Sequence, residues 1–155
     1  IRVGASGKIV SAFDMARALA LGADWCNSAR GFMFALGCIQ AQTCHTGNCP
    51  TGVTTQDPQR QMALVVPSKA ERVHNFHTHT LEALQELMQA SGLQTPHDFT
   101  PRHIMRRVSE TETKHLSDLV DTLAPGVLLQ ADISGLPAVF SDWACVGADS
   151  FAIKA

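Results

Sequence analysis

The spacing of apolar residues changes several times along the chain, and each change marks an element. Ile1-Arg2-Val3-Gly4 reads as a short strand, followed by a turn through Ala5-Ser6-Gly7-Lys8. Ser11 and Asp14 have the pattern of a capping box, in which hydroxyl and carboxylate each satisfy a free backbone N–H. The alanine- and leucine-rich stretch Ala12–Leu21 is therefore expected to be a helix. It stops at Gly22, because glycine takes the left-handed terminating conformation without a side-chain clash. Ala23–Asn27 reads as a second strand. Strand, helix and strand within about 25 residues make a βαβ unit, whose strands run parallel. A short helix over Arg30–Leu36 opens directly from the second strand, with Gly37 as its stop.

The strongest helical period comes after Pro67. Ser68 and Glu71 form a second capping-box pattern, and Gly92 marks the end. Val73, Phe76, Leu84, Leu87 and Met88 fall near one face of this helix. Shorter helices are expected from Thr100-Pro101, with proline at the first helical position, and from Ser109 with Glu112. From Pro125-Gly126 onward turn signals are scattered, and this stretch reads as a tail packed across the surface. No internal repeat or low-complexity segment interrupts the chain.

At 155 residues and 45% hydrophobic, the chain suffices for one ordinary domain with a core. Twelve basic residues against fourteen acidic give a formal charge of −2, and no long basic run points to nucleic acid. The longest apolar run, Gly31–Ile39, falls far short of the ~18 residues of a membrane span, so no membrane contact is expected from this segment. The chain opens in a strand with neither Met nor signal-like stretch and reads as a fragment. Five cysteines, an odd number without a secretory signal, argue against a disulfide framework and for a reducing, cytoplasmic setting.

Two segments carry chemistry. The first pairs Ser6-Gly7-Lys8 with Ser28-Ala29-Arg30, each just after a strand. Gly7 permits close backbone approach, and the opening turn of the helix at Ala29-Arg30 offers free N–H groups and a partial positive charge. Arg30 opposes that dipole, with no acidic neighbour on the helix side; a bound phosphate would resolve the conflict. In TIM barrels the loops after the last two strands, with a short extra helix, form such a phosphate site. The bland reading of the same residues is a plain turn and a solvated arginine.

The second is Cys38-Ile-Gln-Ala-Gln-Thr-Cys44-His-Thr-Gly-Asn-Cys49-Pro50, the pattern C-x5-C-x4-C. Residues 31–56 contain no Asp, Glu, Lys or Arg, which suits irregular backbone wrapped around something buried. Thiolates are soft ligands for zinc and iron–sulfur clusters. Structural zinc and full clusters usually take four protein ligands, whereas a [3Fe–4S] cluster lacks one iron corner and needs three. His45, Cys26 or Cys145 can each supply a fourth ligand, and three inert buried thiols remain a further alternative.

With these residues in view, the run ADWCNSARGFMFALGCIQAQTCHTGNCPTGVTTQDPQRQ resembles the FMN-binding domain of glutamate synthase. The resemblance runs from Ile1 to about Val108 and more loosely through the tail, as in the shorter FMN-binding glutamate synthase family proteins. It implies an α/β fold: the C-terminal portion of a (βα)8 TIM barrel, its last two strands and helices, followed by a helical C-terminal extension. Residues 1–66 would end the barrel and carry the cysteine loop, 67–124 would supply further helices of that domain, and 125–155 the tail. It further implies FMN held through its phosphate by Ser6, Gly7, Lys8, Ser28, Ala29 and Arg30, and a [3Fe–4S] cluster on Cys38, Cys44 and Cys49. The implied activity is reduction of 2-iminoglutarate, from 2-oxoglutarate and ammonia, to glutamate, with electrons passing between cluster and flavin. An electron-donor protein or subunit and the rest of the barrel are the implied partners. The large glutamate synthases have Gly-Gly where this chain has Gly7-Lys8, and Gly-Thr where it has Ala29-Arg30, which leaves open an FMN oxidoreductase with another substrate. A zinc-stabilised module without redox activity is the other alternative. No catalytic acid or base is assigned, because the family's residues around the flavin ring and 2-oxoglutarate lie on earlier strands.

His74, His77 and His79 do not share one helix face at their spacing and are not assigned to a metal. Trp25 and Cys26 are expected in the core, and His97 and His103 at solvated helix ends.

Overall fold

The computed structural model describes residues 1–130, 135–147 and 149, which divide into two compact units, 1–105 and 106–155. The first unit begins with β1 (Gly4–Ser6), α1 (Ala12–Ala20), β2 (Trp25–Asn27) and α2 (Ala29–Leu36). β1 and β2 pair in parallel, with Gly4 opposite Trp25, Ala5 opposite Cys26 and Ser6 opposite Asn27. Asp24 ties the start of the pair: its N–H donates to the Val3 carbonyl (2.7 Å) and its carboxylate accepts from the Val3 N–H (2.6 Å). The two faces differ. Cys26 turns toward α1, its sulfur 4.0 Å from the Met15 carbonyl, while Trp25 lies across Gly4, where a Cβ would sit 2.5 Å from the indole. The reading of Trp25 as core needs correction, for the indole is 46% exposed on the side away from the helices.

The capping box at α1 forms as its sequence predicts. The Asp14 N–H donates to Ser11 Oγ (3.3 Å), and the Asp14 carboxylate accepts from the Ser11 N–H (3.0 Å). Gly22 follows the helix at φ +100°, a conformation that favours glycine. Ala12, Ala16, Leu19 and Ala20 bury one face of α1. Alanines at that spacing let helices approach closely, and α1 packs against the long helix α4 (Val66–Ala90). α4 also covers α2 through Phe76, whose ring meets Phe32 edge-on at 5.2 Å. Gly31 makes that approach possible, since a Cβ there would lie 2.6 Å from the Phe76 ring.

α4 starts earlier than its sequence suggests. Val65 is its N-cap and Pro67 sits in the first turn, so Ser68 and Glu71 lie inside the helix and form no capping box. Proline fixes the helical φ and lacks only an N–H that the first turn leaves free, which lets the helix begin on its N-terminal side. The apolar face is as read: Leu84 is buried, and Val73, Phe76, Leu87 and Met88 are half-buried. Thr100-Pro101 opens a single 3-10 turn, Pro101–His103, instead of a helix, because the chain passes at once into β3 (Met105–Arg107).

β3 carries the chain into the second unit and pairs with β4 (Thr113–His115). The helix expected at Ser109 is absent. Ser109–Glu112 is the turn between these strands, with the Val108 and Ser109 N–H groups both donating to the Glu112 carbonyl (3.0 and 3.3 Å). β-branched Thr111 and Thr113 favour that outcome. The tail holds 3-10 segments at Val127–Leu129 and Ala138–Cys145, joined by a Trp143 indole N–H donating to the Leu128 carbonyl (3.0 Å). Within the expected tail, residues 131–134, 148 and 150–155 lie outside the described residues.

Candidate functional site

The parallel pairing of β1 and β2 sets their following loops side by side, and one side chain links them. Ser28 Oγ donates to the Ile9 carbonyl (2.7 Å), so Ser28 caps no N–H of α2. The first turn of α2, with Ala29 and Arg30, therefore keeps its N–H groups clear of any side-chain cap, and no acidic residue lies in that turn. In the first loop Gly7 has φ +93°, with open space where a side chain would begin, and Lys8 follows at φ 57°. Among the described residues neither Lys8 nor Arg30 forms an ion pair.

α2 ends at Gly37 (φ 104°), where the Cys38 N–H donates to the Met33 carbonyl (3.0 Å) and fixes the exit into the cysteine loop. Gln40 and Gln42 then take φ 58° and 57°. Lys8, Gln40 and Gln42 are the positive-φ residues other than glycine among those described, and all three sit in the two segments singled out by sequence. Backbone strain of this kind persists where surrounding structure imposes it, and it clusters at ligand sites.

The polar residues of the loop bond mostly to one another. Thr43 Oγ1 donates to the Asn48 carbonyl (3.3 Å), Thr46 Oγ1 to the Thr43 carbonyl (2.8 Å), and Thr55 Oγ1 to the Gly47 carbonyl. Gly52, at φ +75°, passes so close to the Arg60 backbone that no Cβ fits. These features explain why a charge-free stretch needs Thr, Asn and Gly at fixed places.

Cys38, Cys44 and Cys49 all line one pocket, together with Met33, Thr51 and Thr54. Cys38 is half-buried, Cys44 exposed and Cys49 buried at 8% exposure. The Thr51 hydroxyl, 3.5 Å from the Cys49 sulfur, and then the nearby Thr54 and Thr51 N–H groups bring the Cys49 thiol down from an ordinary 9.0 to about 6. The Thr54 hydroxyl adds the smallest of these effects without reaching hydrogen-bond geometry; its Oγ1 is buried and has no partner. Among the described residues no three His, Cys, Asp or Glu side chains group closely enough to hold a single metal ion.

A second, more open pocket adjoins the first and shares Met33, Cys38, Gln42 and Cys44 with it. Its other lining residues include Ala29 and Arg30, so the first turn of α2 and two of the cysteines border a common space of about 370 Å³. Ser6, Gly7 and Lys8 line neither pocket; β1 pairing and the Ser28–Ile9 bond place them beside it.

Cys26 lies elsewhere, lining a cavity with Met15, Phe32 and Phe76, and burial pushes its thiol up. His74, His77 and His79 are exposed on α4. Sequence reasoning missed Thr51 and Thr54, whose only signal is their place just after Cys49. It also missed Lys69 and Arg72 of α4, whose terminal nitrogens lie 3.0 and 3.8 Å from where a Gly37 Cβ would be. Cations there favour the C-terminal end of the α2 dipole, directly before Cys38.

The conserved region in glutamate synthase matches residues 1–94, from β1 to just past α4, and so includes every candidate residue named above. The chain belongs to the glutamate synthase family. Within that family it is 42% identical over 120 residues to the glutamate synthase large subunit-like protein YerD of Bacillus subtilis, covering 77% of this chain and 23% of that protein. Identity is 37% over 93 residues with the archaeal glutamate synthase [NADPH] of Methanocaldococcus jannaschii, covering 60% of this chain and 18% of that one. With the glutamate synthase [NADH] of Schizosaccharomyces pombe it is 32% over 126 residues, covering 80% and 6%. The chain thus spans under a quarter of the length of these glutamate synthase relatives. No solved structure matches it.

Proposed function

We propose that the chain is the closing part of a (βα)8 barrel in a glutamate synthase-type oxidoreductase that holds FMN and a [3Fe–4S] cluster. The observation that carries this reading is the space bordered jointly by the first turn of α2 and by Cys38 and Cys44. An anion seated on the Ala29 and Arg30 N–H groups would there lie next to the thiols.

The donor set fits both groups. Arg30 offers a planar, bidentate partner for phosphate, Gly7 leaves room for close backbone approach, and Ser28 acts through its backbone because its hydroxyl is donated to Ile9. Ser6, at the end of β1, and Lys8, in the loop after it, would add a hydroxyl and a cation toward the same anion. Cys38, Cys44 and Cys49 supply three thiolates facing one pocket, with Cys49 already favouring the ionised form that a metal requires. Three thiolates without a fourth ligand match the donor count of a [3Fe–4S] cluster better than that of a four-coordinate structural zinc. When bound, the two groups supply electron transfer and hydride delivery to 2-iminoglutarate, giving glutamate from 2-oxoglutarate and ammonia. This chain's residues bind and orient them and exclude water from the buried Cys49 side.

The rest of the barrel is a required partner. β1 and β2 form a two-stranded sheet with its outer edges unpaired among the described residues, and Val3 and Trp25 are 55% and 46% exposed beside it. An electron-donor protein or subunit and a cytoplasmic setting complete the proposal; the cysteines among the described residues are all free thiols. No helix among the described residues is long and apolar enough to cross a membrane.

Anaerobic purification of the complete protein tests this directly. A flavin absorbance, iron and acid-labile sulfide near three and four per chain, and glutamate formation with a reduced donor are expected. Zinc without sulfide would overturn the cluster, and flavin without glutamate formation would leave an FMN oxidoreductase acting on another substrate.

A further inference from the structure

The Thr54 hydroxyl is the one buried side-chain polar atom among the described residues without a hydrogen-bond partner. Leaving such a group unpaired is costly, so its surroundings are expected to offer it a partner. Its surroundings narrow what that is. Thr54 lines the pocket shared by Cys38, Cys44 and Cys49. Thr51 Oγ1 already lies 3.5 Å from that sulfur. The neighbouring threonines are otherwise engaged: Thr43, Thr46 and Thr55 all donate to backbone carbonyls of the loop. Among these threonines Thr54 keeps an unpartnered hydroxyl, on a residue that lines the thiol pocket.

The three cysteines are also unequally supplied with donors. Cys38 accepts one N–H, from Gln40 at 3.4 Å, and Cys44 is exposed. Cys49 is buried and faces the Thr51 hydroxyl and two N–H groups. Resting on the cluster reading above, we propose that Thr54 is a positioning residue for electron transfer. With the cluster bound, the Thr54 hydroxyl would donate to the Cys49 thiolate or a neighbouring sulfide and, with Thr51, would raise the reduction potential. Uptake of one electron increases negative charge on sulfur, and a hydrogen-bond donor there stabilises the reduced form more than the oxidised one. Because Cys49 is the buried corner, this donor acts where water is excluded and the electrostatic effect is largest.

The test is a redox titration followed by EPR on the complete protein, purified anaerobically as wild type, Thr54→Val and Thr54→Ser. Val removes the hydroxyl at nearly constant volume, and Ser retains it. A lower midpoint potential in Thr54→Val, restored in Thr54→Ser, with iron and sulfide content unchanged, is the expected result. Equal potentials in all three, with a cluster present in each, would overturn the role of Thr54 and leave the cluster assignment standing. Absence of iron and sulfide from the wild type would instead remove the cluster reading, and this inference with it. Should Thr54→Val fail to assemble a cluster, Thr54→Ala against Thr54→Ser makes the same comparison, and equal potentials there count against the proposal.

Discussion

Arg30 stands in the first turn of α2, where a cation works against the helix dipole and where no acidic side chain offsets it. It lines the shared pocket, where in the proposed reading a bound phosphate would offset that local cost. Arg30→Gln in the complete protein is expected to weaken FMN retention roughly ten- to hundredfold, the range for losing a charge-assisted hydrogen bond. Flavin released on gel filtration measures it. The proposed roles of the cysteines differ, because each would be one of three ligands. Cys38→Ser should abolish the cluster signal in EPR while leaving bound flavin in place, since Cys38 lines the proposed phosphate pocket without offering it a charge. At this scale the sequence made the residue types legible, but not the left-handed backbone at Gln40 and Gln42. Glutamine carries no preference for positive φ, so neither residue announces that conformation.

Elements were legible where their signals are local. The Ser11–Asp14 box is an example, because both partners lie within one turn. The Asp14 carboxyl is held below its ordinary 3.8, chiefly by the Ser11 N–H. Its contribution is therefore complete above that ordinary value and fades as pH falls through the lowered one. Asp14→Asn should lower thermal stability at neutral pH by a few tenths to about 1 kcal/mol, and the difference from wild type should close in strong acid. The Ser68–Glu71 pattern failed for a complementary reason: with Pro67 in the first turn the N-cap lies at Val65, three residues earlier, and a capping box inside a helix has no free N–H groups to satisfy. Helix pairing has its own weak point at Gly31. Gly31→Ala drives a methyl into the Phe76 ring and is expected to cost about 1–3 kcal/mol, measurable by urea denaturation.

For the molecule as a whole, two paired strands with open edges and an exposed Trp25 form part of a larger sheet in the proposed barrel. The isolated 155-residue chain should therefore bind FMN far more weakly than the complete protein, as equilibrium dialysis would report. Tight binding by the fragment would count against the barrel.

The sequence alone determined the order of strand, helix, strand and helix, the ends of α1 and α2, the apolar face of α4 and the three-cysteine spacing. Each of these depends on residues within a few positions of one another, whose preferences act before the chain folds. Only the tertiary structure decided that the α2 first turn and the cysteine loop share one space, that Thr54 is left with a free buried hydroxyl, and that Ser109–Glu112 turns between strands. Those outcomes depend on which distant segments meet, and they follow from close packing and the pairing of backbone groups rather than from local propensity.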